Sequence, residues 1–227
     1  MIVSIHQPAY MPWLGYFDRI LKSDLHIVLD HVQFEKNSVV NRNKIKTANG
    51  WSWISVPVLT KGRFGNLPIN EIEISNHSSW TQKHLRTLRM NYSRSPFFSH
   101  YIECFNEILD RDWRYLNDLN KELTDYIMGA LGVSTDLVFS SKLSPCSKKS
   151  DLILELCSKV GASTYLSGPF GRDYLDVDQF ESNGINVIFH DYIHPHYQQL
   201  YDQFEPNMSV LDLLFNHGSA SVSILAN

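Results

Sequence analysis

The sequence predicts an α/β fold with a mostly parallel sheet. Short apolar runs that are typical of buried strands alternate with segments of helical periodicity at both ends of the chain. Parallel strands are joined by crossover helices, which cover both faces of a sheet. A long helical stretch at about residues 79–132 interrupts this alternation. We therefore expect a Rossmann-like sheet with helices on both faces and a central helical insertion.

The first strand, helix and second strand form one unit near the start of the chain. Residues 2–5 are apolar and predict a buried strand, which ends at the polar, turn-prone His6. Residues 16–22 show helical spacing, and residues 25–29 predict the second strand. Open α/β sheets bind ligands beyond the carboxyl ends of their strands. The segment that follows the first strand is therefore a candidate binding loop.

The middle of the chain shows strand patterns followed by long helical patterns. Pro57 favours an edge position for the strand that contains it, because proline lacks the amide that a sheet needs. A serine side chain can satisfy free amides in the first turn of a helix. The predicted elements are a strand at 51–58, a strand through Ile69, Ile72 and Ile74, a helix from Ser78 or Ser79 to about Tyr92, and helices at 96–131 with a break near 110–112.

The last third of the chain returns to alternating strands and helices. Gly161 follows an apolar helical pattern and predicts its end. Strand patterns at 163–166 and 187–189 each run directly into polar, Gly-rich or His-rich segments. The predicted elements are strands at 136–140, 163–166 and 187–189, a helix at 149–160, and a final helix whose apolar stripe comprises Val210, Leu211, Leu214 and Phe215.

Composition and charge narrow the classes of protein. With 227 residues, 43% hydrophobic and 19% charged, the chain is expected to fold as one α/β domain over residues 1–227. The net charge of -4 argues against general nucleic-acid binding, which depends on many Lys and Arg side chains. The start of the chain shows neither a basic leader nor a long apolar stretch, so we expect a cytoplasmic protein without a membrane span.

Cysteine and histidine spacing gives no metal-binding motif. Cys104, Cys146 and Cys157 are odd in number, which favours reduced thiols over a disulfide framework. His194 and His196 flank a proline, but two histidines alone do not define a metal site. We therefore predict no metal ion, and the sequence leaves the cofactor and the oligomeric state open.

The first candidate site follows the first strand. His6 is expected either to act as a general base near neutral pH or, when protonated, to hold a phosphate. The alternative is that His6 only hydrogen-bonds a turn. Gln7 is a candidate substrate ligand, and Tyr10 and Trp13 are candidate walls that stack on a base or sugar.

The second candidate site follows the second strand. Asp30 ends that strand and is a candidate catalytic carboxylate. The polar run Asn41-Arg42-Asn43-Lys44 offers amide, guanidinium and ammonium donors for a phosphate or carboxylate. The alternative is a solvated polar loop, since Asn and Lys also favour turns and surfaces.

The third candidate site follows the strand at 163–166. Ser167 and Gly168 begin a Gly-rich turn in which backbone can approach a ligand closely, and Arg172 is a candidate for binding an oxyanion. Asp191 and His194 are candidates for an acid/base pair. The alternative is a tight turn with a surface arginine and a surface hydrogen bond.

Four segments together resemble the WbqC-like family and span nearly the whole chain. The resemblance implies a role in the synthesis of bacterial O-antigen or related glycans, often beside enzymes that make amino-sugar nucleotides. The matching segments are His6-Gln7-Pro8-Ala9-Tyr10-Met11-Pro12-Trp13-Leu14-Gly15-Tyr16-Phe17, Val32-Gln33-Phe34 leading to Asn41-Arg42-Asn43-Lys44-Ile45-Lys46, Ser167-Gly168-Pro169 with Tyr174-Leu175, and Leu211-Asp212-Leu213-Leu214-Phe215-Asn216-His217-Gly218.

Three functions remain open at this point. The first is a transferase that modifies an amino or hydroxyl group of a nucleotide-linked sugar or another anionic substrate. The second is a nucleotidyl or acyl-adenylate transferase that uses ATP or CTP; the strand-loop-helix start is similar to such folds, but Trp13-Leu14-Gly15-Tyr16 lacks both histidines of their His-x-Gly-His signature. The third is a non-catalytic binding protein of glycan assembly. If the site is shared, His6, Asn43 and Gly168 should open onto one crevice.

Overall fold

Seven strands form two sheets in the computed structural model, which describes residues 1–63 and 65–226. Five parallel strands lie in the order β5-β2-β1-β6-β7, and β3 and β4 form a separate antiparallel hairpin. The predicted parallel α/β fold is confirmed. The strands are β1 (Ile2–His6), β2 (Leu25–Val28), β3 (Arg42–Thr47), β4 (Gly50–Ser55), β5 (Asp136–Phe139), β6 (Thr164–Ser167) and β7 (Asn186–Phe189).

Helices cover both faces of the five-stranded sheet. Val3 and Ile5 of β1 pack on one face against a cluster that includes Leu156 and Phe180. A larger cluster joins the first helix, the middle helices and the hairpin. The helices are α1 (Leu14–Leu21), α2 (Trp80–Tyr92), α3 (Phe98–Leu109), α4 (Leu116–Leu131), α5 (Lys149–Lys159), α6 (Val177–Ser182), α7 (Val210–His217) and α8 (Ser221–Leu225).

The described residues include no helix with the length and apolar character needed to cross a membrane.

The expected insertion corresponds to α2, α3 and α4, with the predicted break between α3 and α4. Gly132 ends α4 with a φ of 69°, a left-handed conformation that glycine adopts without steric cost. Ser79 stands at the start of α2 as predicted, but its side chain makes no capping hydrogen bond.

β1 and β6 are parallel neighbours, as the sequence predicted. Val3 is in register with Tyr165 and Ser4 with Leu166. The carboxyl ends of parallel neighbours lie at the same edge of a sheet, so the turns after His6 and Ser167 open on the same side. This pairing brings two segments together that lie about 160 residues apart in the sequence.

One predicted strand is not formed, and the alternative of a solvated polar loop is excluded. Ile69, Ile72 and Ile74 do not form a strand: Ile69–Glu71 is a short 3-10 helix, and the nearby backbone makes only isolated bridges. Residues 41–46 are not a solvated loop, because residues 42–47 form β3, which pairs with β4 in register over six residues. Asn43 fixes this strand to the loop after β1, since its Nδ2 donates to the Met11 carbonyl at 2.8 Å.

Candidate functional site

A cavity of about 580 Å³ opens at the carboxyl edge of the sheet. Its volume is in the range of pockets that hold small ligands. β1, β6, α1 and the segment after β7 all contribute to it. Residues of the cavity that bear on its chemistry are His6, Gln7, Arg19, Gly168, His190 and Tyr192.

Arg19 places an unpaired cation in the wall of this cavity. The residue is 5% exposed, and its Nε has no hydrogen-bond partner within the described residues. No carboxylate in the described part of the chain forms an ion pair with it. Burial lowers the pKa of Arg19, although a guanidinium stays protonated in proteins. An uncompensated buried charge is costly, so the site favours an anionic ligand.

Gly168 makes room for the Arg19 guanidinium. A Cβ at this position would lie 2.6 Å from Nη1 of Arg19, closer than atoms without a bond can approach. A side chain here would push the guanidinium aside, so glycine lets the turn after β6 pack directly on the arginine. Gly168 and Arg19 both line the cavity, so the turn and the arginine adjoin the same space.

His190 and Asp18 form a buried hydrogen-bonded pair beside Arg19. Asp18 is fully buried in α1 and accepts from Nε2 of His190 at 2.5 Å. Burial raises the pKa of Asp18, but the hydrogen bonds of His190 and Lys22 outweigh it and hold the pKa below its ordinary value. With its proton on Nε2, a neutral His190 ring keeps Nδ1 as an acceptor. A carboxylate that orients a histidine in this way is a recurrent arrangement for general base catalysis.

Tyr192 holds the ring of His190. The two rings are stacked, with centroids 5.7 Å apart and an angle of 25° between planes. A Cβ on Gly15 would lie 2.8 Å from Cδ1 of Tyr192, so the glycine permits α1 to approach this ring. Tyr192 also lines the cavity, and within the described residues its hydroxyl is buried without a hydrogen-bond partner. It is therefore a further polar group available to a ligand.

His6 faces the same cavity as a neutral ring. Its Nδ1 is 2.7 Å from the Gln7 carbonyl, which fixes the proton on Nδ1 and leaves Nε2 as an acceptor. Burial, and then the charge of Arg19, lower the pKa of His6 to about 3. An anion bound at Arg19 would offset that charge and raise the pKa of His6.

We expect the free energy of unfolding to fall as the pH is lowered from about 6.5 towards 4. Burial lowers the pKa of His6 to about 3 and that of His84 to about 4, from 6.5 in an unperturbed histidine. The unfolded chain therefore takes up protons before the folded chain does. At pH 5 this costs on the order of 2 kcal/mol for each histidine.

Asp212 opposes this trend. Burial raises its pKa to about 6 from 3.8, so Asp212 adds stability as the pH falls between those values. His26 is also fully buried, and burial lowers its pKa well below 6.5, so three histidines against one carboxyl give a net loss of stability at pH 5. Urea unfolding at pH 7.5 and 5.0 measures this loss, and His84→Gln should make it smaller by removing one of the contributing histidines. A free energy of unfolding that is equal at both pH values would contradict this prediction.

The structure brings together only part of the predicted site. His6, Gln7, Trp13 and Gly168 line the cavity. Asn43 and Lys44 line a neighbouring groove, which shares Trp13 with the cavity. Thus the expected single crevice is divided into two adjoining depressions.

The remaining side chains of the first two candidate segments have structural contacts. Tyr10 is fully buried, and its hydroxyl is 2.9 Å from Nδ1 of His84, so it cannot form a wall of the cavity. Asp30 is 2% exposed and accepts from the hydroxyls of Ser140 and Ser141, which uses both of its oxygens. Asn41 directly precedes β3 and donates to the Val56 carbonyl.

The third candidate segment also differs from expectation. Ser167 is 1% exposed and donates to the Gly168 carbonyl. Arg172 and Asp191 bind each other through two contacts of 2.8 Å on the surface, which lowers the pKa of the carboxyl through its hydrogen bond to the arginine. His194 is hydrogen-bonded to the Pro195 carbonyl and not to Asp191. The predicted Asp191–His194 pair is therefore absent.

Asp18, Arg19 and His190 were not among the site residues predicted from the sequence. Asp18 and Arg19 are adjacent charges in the middle of an otherwise largely apolar helix, and that pattern was an available signal. His190 directly follows the last strand of the sheet, in the same position relative to β7 that Gly168 has relative to β6. Among the described residues, no three His, Cys, Asp or Glu side chains come together as metal ligands.

The comparisons with known proteins agree with the resemblance noted from the sequence. A family described as the WbqC-like protein family matches residues 7–224. A protein of Mycobacterium tuberculosis, described as uncharacterised, is 39% identical over 225 residues, which cover 98% of this chain and 96% of that protein. No solved structure matches the chain at a significant level. The chain belongs to the WbqC-like protein family.

Proposed function

We propose that the protein is a cytoplasmic transferase of bacterial surface-polysaccharide biosynthesis, which modifies an amino or hydroxyl group of a nucleotide-linked amino sugar. The observation that carries this proposal is the cavity in which the unpaired Arg19 lies beside the His190–Asp18 pair. Such a site combines an anion-binding group with a proton acceptor. Membership of the WbqC-like family supports the link to O-antigen synthesis.

The anionic part of the substrate binds Arg19. A guanidinium presents a planar fork of donors that matches phosphate and carboxylate oxygens. Nucleotide-linked sugars carry a phosphate or diphosphate group, which meets this requirement. Aromatic side chains that line the cavity, among them Trp13 and Tyr192, supply surfaces on which a base or sugar can stack.

His190 moves the proton in the proposed reaction. The amino or hydroxyl group of the sugar attacks the donor, a new bond forms to the transferred group, and the bond to the leaving group breaks. Nδ1 of His190 takes the proton from the attacking group and returns it to the leaving group. Asp18 holds the ring in position and stabilises its protonated form. Nε2 of His6 accepts a hydrogen bond from the substrate.

A panel of ligands tests this proposal through thermal stability. We expect a nucleotide sugar such as a UDP-linked N-acetylhexosamine to raise the melting temperature, because a ligand that binds only the folded state stabilises it. At a concentration 100 times the Kd, the gain is about 2.7 kcal/mol, or roughly 5 to 10 °C for a chain of this size. The panel also includes ATP, CTP and acyl-coenzyme A, measured by the same thermal shift.

The other outcomes distinguish the alternatives. A shift with ATP or CTP and none with nucleotide sugars would favour a nucleotidyl or acyl-adenylate transferase. No shift with any ligand would favour a non-catalytic protein of glycan assembly. Arg172→Met is the matched control, because Arg172 is an exposed arginine already paired with Asp191, and its removal should leave the shift intact.

A further inference from the structure

A groove of about 310 Å³ lies beside the cavity, and we call it the outer groove. Trp13, Val39 and Asn207 line both depressions, so the groove and the cavity adjoin each other. A substrate that fills the cavity can therefore extend into the groove without a change in the fold. The outer groove is lined by Trp13, Val39, Asn43, Lys44, Trp53 and Asn207.

Cations and indole rings alternate along the hairpin that forms this groove. Nζ of Lys44 lies 4.2 Å from the ring centre of Trp51 and 5.5 Å from that of Trp53. The guanidinium carbon of Arg42 lies 4.3 Å from the ring centre of Trp53. Lys44 and Trp53 are partners in the β3–β4 register, so the sheet itself sets this alternation.

The two cations have no acidic partner in the described part of the chain. Arg42 donates to the side chain and the carbonyl of Asn37, which are both uncharged. Lys44 makes no ion pair with any described carboxylate. The chain carries a net charge of -4, so carboxylates are plentiful elsewhere, and this surface is locally positive.

Large indole rings also remain open to solvent here. Trp51 is 43% exposed and Trp53 is 38% exposed. Indole offers a broad apolar surface with one polar N–H, which suits a ligand that has both an apolar face and polar groups. A pyranose ring has such a character, with C–H groups on its faces and hydroxyls on its rim.

We propose that the outer groove binds a sugar ring that carries a carboxylate or phosphate group, as a second substrate subsite next to the cavity. The ring packs on Trp53, and Lys44 binds the anionic group. Asn43 is a positioning residue, because its side chain holds β3 to the loop after β1. This inference rests on the proposed function only in treating the cavity as the site of the other substrate.

The proposal is tested by titrating the protein with glucuronate, glucose 6-phosphate and glucose, observed by ligand NMR and by the indole N–H signals of Trp51 and Trp53. We expect all three sugars to shift these signals, the two charged sugars at lower concentration than glucose. Lys44→Met should weaken the charged sugars about tenfold or more and leave glucose unchanged, because it removes a charge-assisted contact. Trp53→Leu should weaken all three.

Two further variants separate the groove from the cavity. Arg19→Met should abolish the thermal shift caused by a nucleotide sugar and leave glucuronate binding intact. The thermal shift therefore tests the cavity, and glucuronate binding tests the outer groove. Lys121→Met is the matched surface control, since Lys121 pairs with Asp125 on α4. Binding by only one charged sugar identifies the anionic group. No binding, or binding that survives both Lys44→Met and Trp53→Leu, would overturn the proposal.

Discussion

Arg19→Met is expected to stabilise the free protein and to abolish binding of the anionic ligand. A buried guanidinium without a partner costs folding free energy, whereas methionine fills a similar volume without charge. Replacement of buried charged groups by hydrophobic residues stabilises proteins by up to about 1 to 4 kcal/mol. For this chain that corresponds to a rise in melting temperature of roughly 2 to 16 °C.

The loss of binding should be larger than this gain. Each charge-assisted hydrogen bond contributes about 1.5 to 3 kcal/mol, so loss of a two-pronged contact weakens binding roughly 100-fold or more. Calorimetric titration with the nucleotide sugar that the panel selects measures the Kd, and urea unfolding of the free protein measures stability. A variant that is more stable than the wild type but binds the ligand more weakly would show that Arg19 serves ligand binding and not folding.

Gly168→Ala tests the same site without removal of the charge. The added Cβ would displace the guanidinium, which it would otherwise approach to 2.6 Å, so binding should weaken while Arg19 remains. If Arg19→Met instead destabilises the free protein and leaves the Kd unchanged, the arginine has a structural role. In that case the proposed anion site is wrong.

The sequence predicted the sheet well because its signal is local. Each strand of the parallel sheet is a short apolar run bounded by turn residues, and strands buried on both faces read in this way. The ends of those runs located His6 and Gly168, which the structure places in one cavity. Where the signal was mixed, prediction failed. In β3, Asn43 shares the buried face with Ile45, Arg42 and Lys44 lie on the other face, and the many polar side chains obscured the strand pattern.

The missed residues depended on tertiary packing. Asp18 and Arg19 would lie at the surface of an isolated helix, and they are buried because α1 lies between the sheet and the larger hydrophobic cluster. His190 meets Asp18 across 172 residues of sequence. By contrast, Asp191 and Arg172 were candidate site residues in the sequence, but they form an ion pair with each other on the surface. Charge type alone therefore could not rank these candidates.

His190→Gln is expected to lower turnover of the selected nucleotide sugar by about 10² to 10⁴, the usual contribution of a positioned general base. Glutamine keeps a hydrogen-bond donor for Asp18 and removes the basic nitrogen, so the loss should fall on kcat, with KM nearly unchanged. Asp18→Asn should also lower kcat strongly, because the amide cannot stabilise protonated His190 and its NH2 group can donate to Nε2, which holds the ring in the wrong tautomer.

His194→Gln is the matched comparison, because the sequence made His194 a candidate for an acid/base pair with Asp191, and the structure places His190 in the cavity. His194 lies against Tyr197, with ring centroids 6.0 Å apart, so its replacement should affect stability more than kcat. Steady-state kinetics and urea unfolding of both variants separate these effects. If His194→Gln lost turnover and His190→Gln did not, the proton acceptor would be misassigned, although the anion site at Arg19 would still stand.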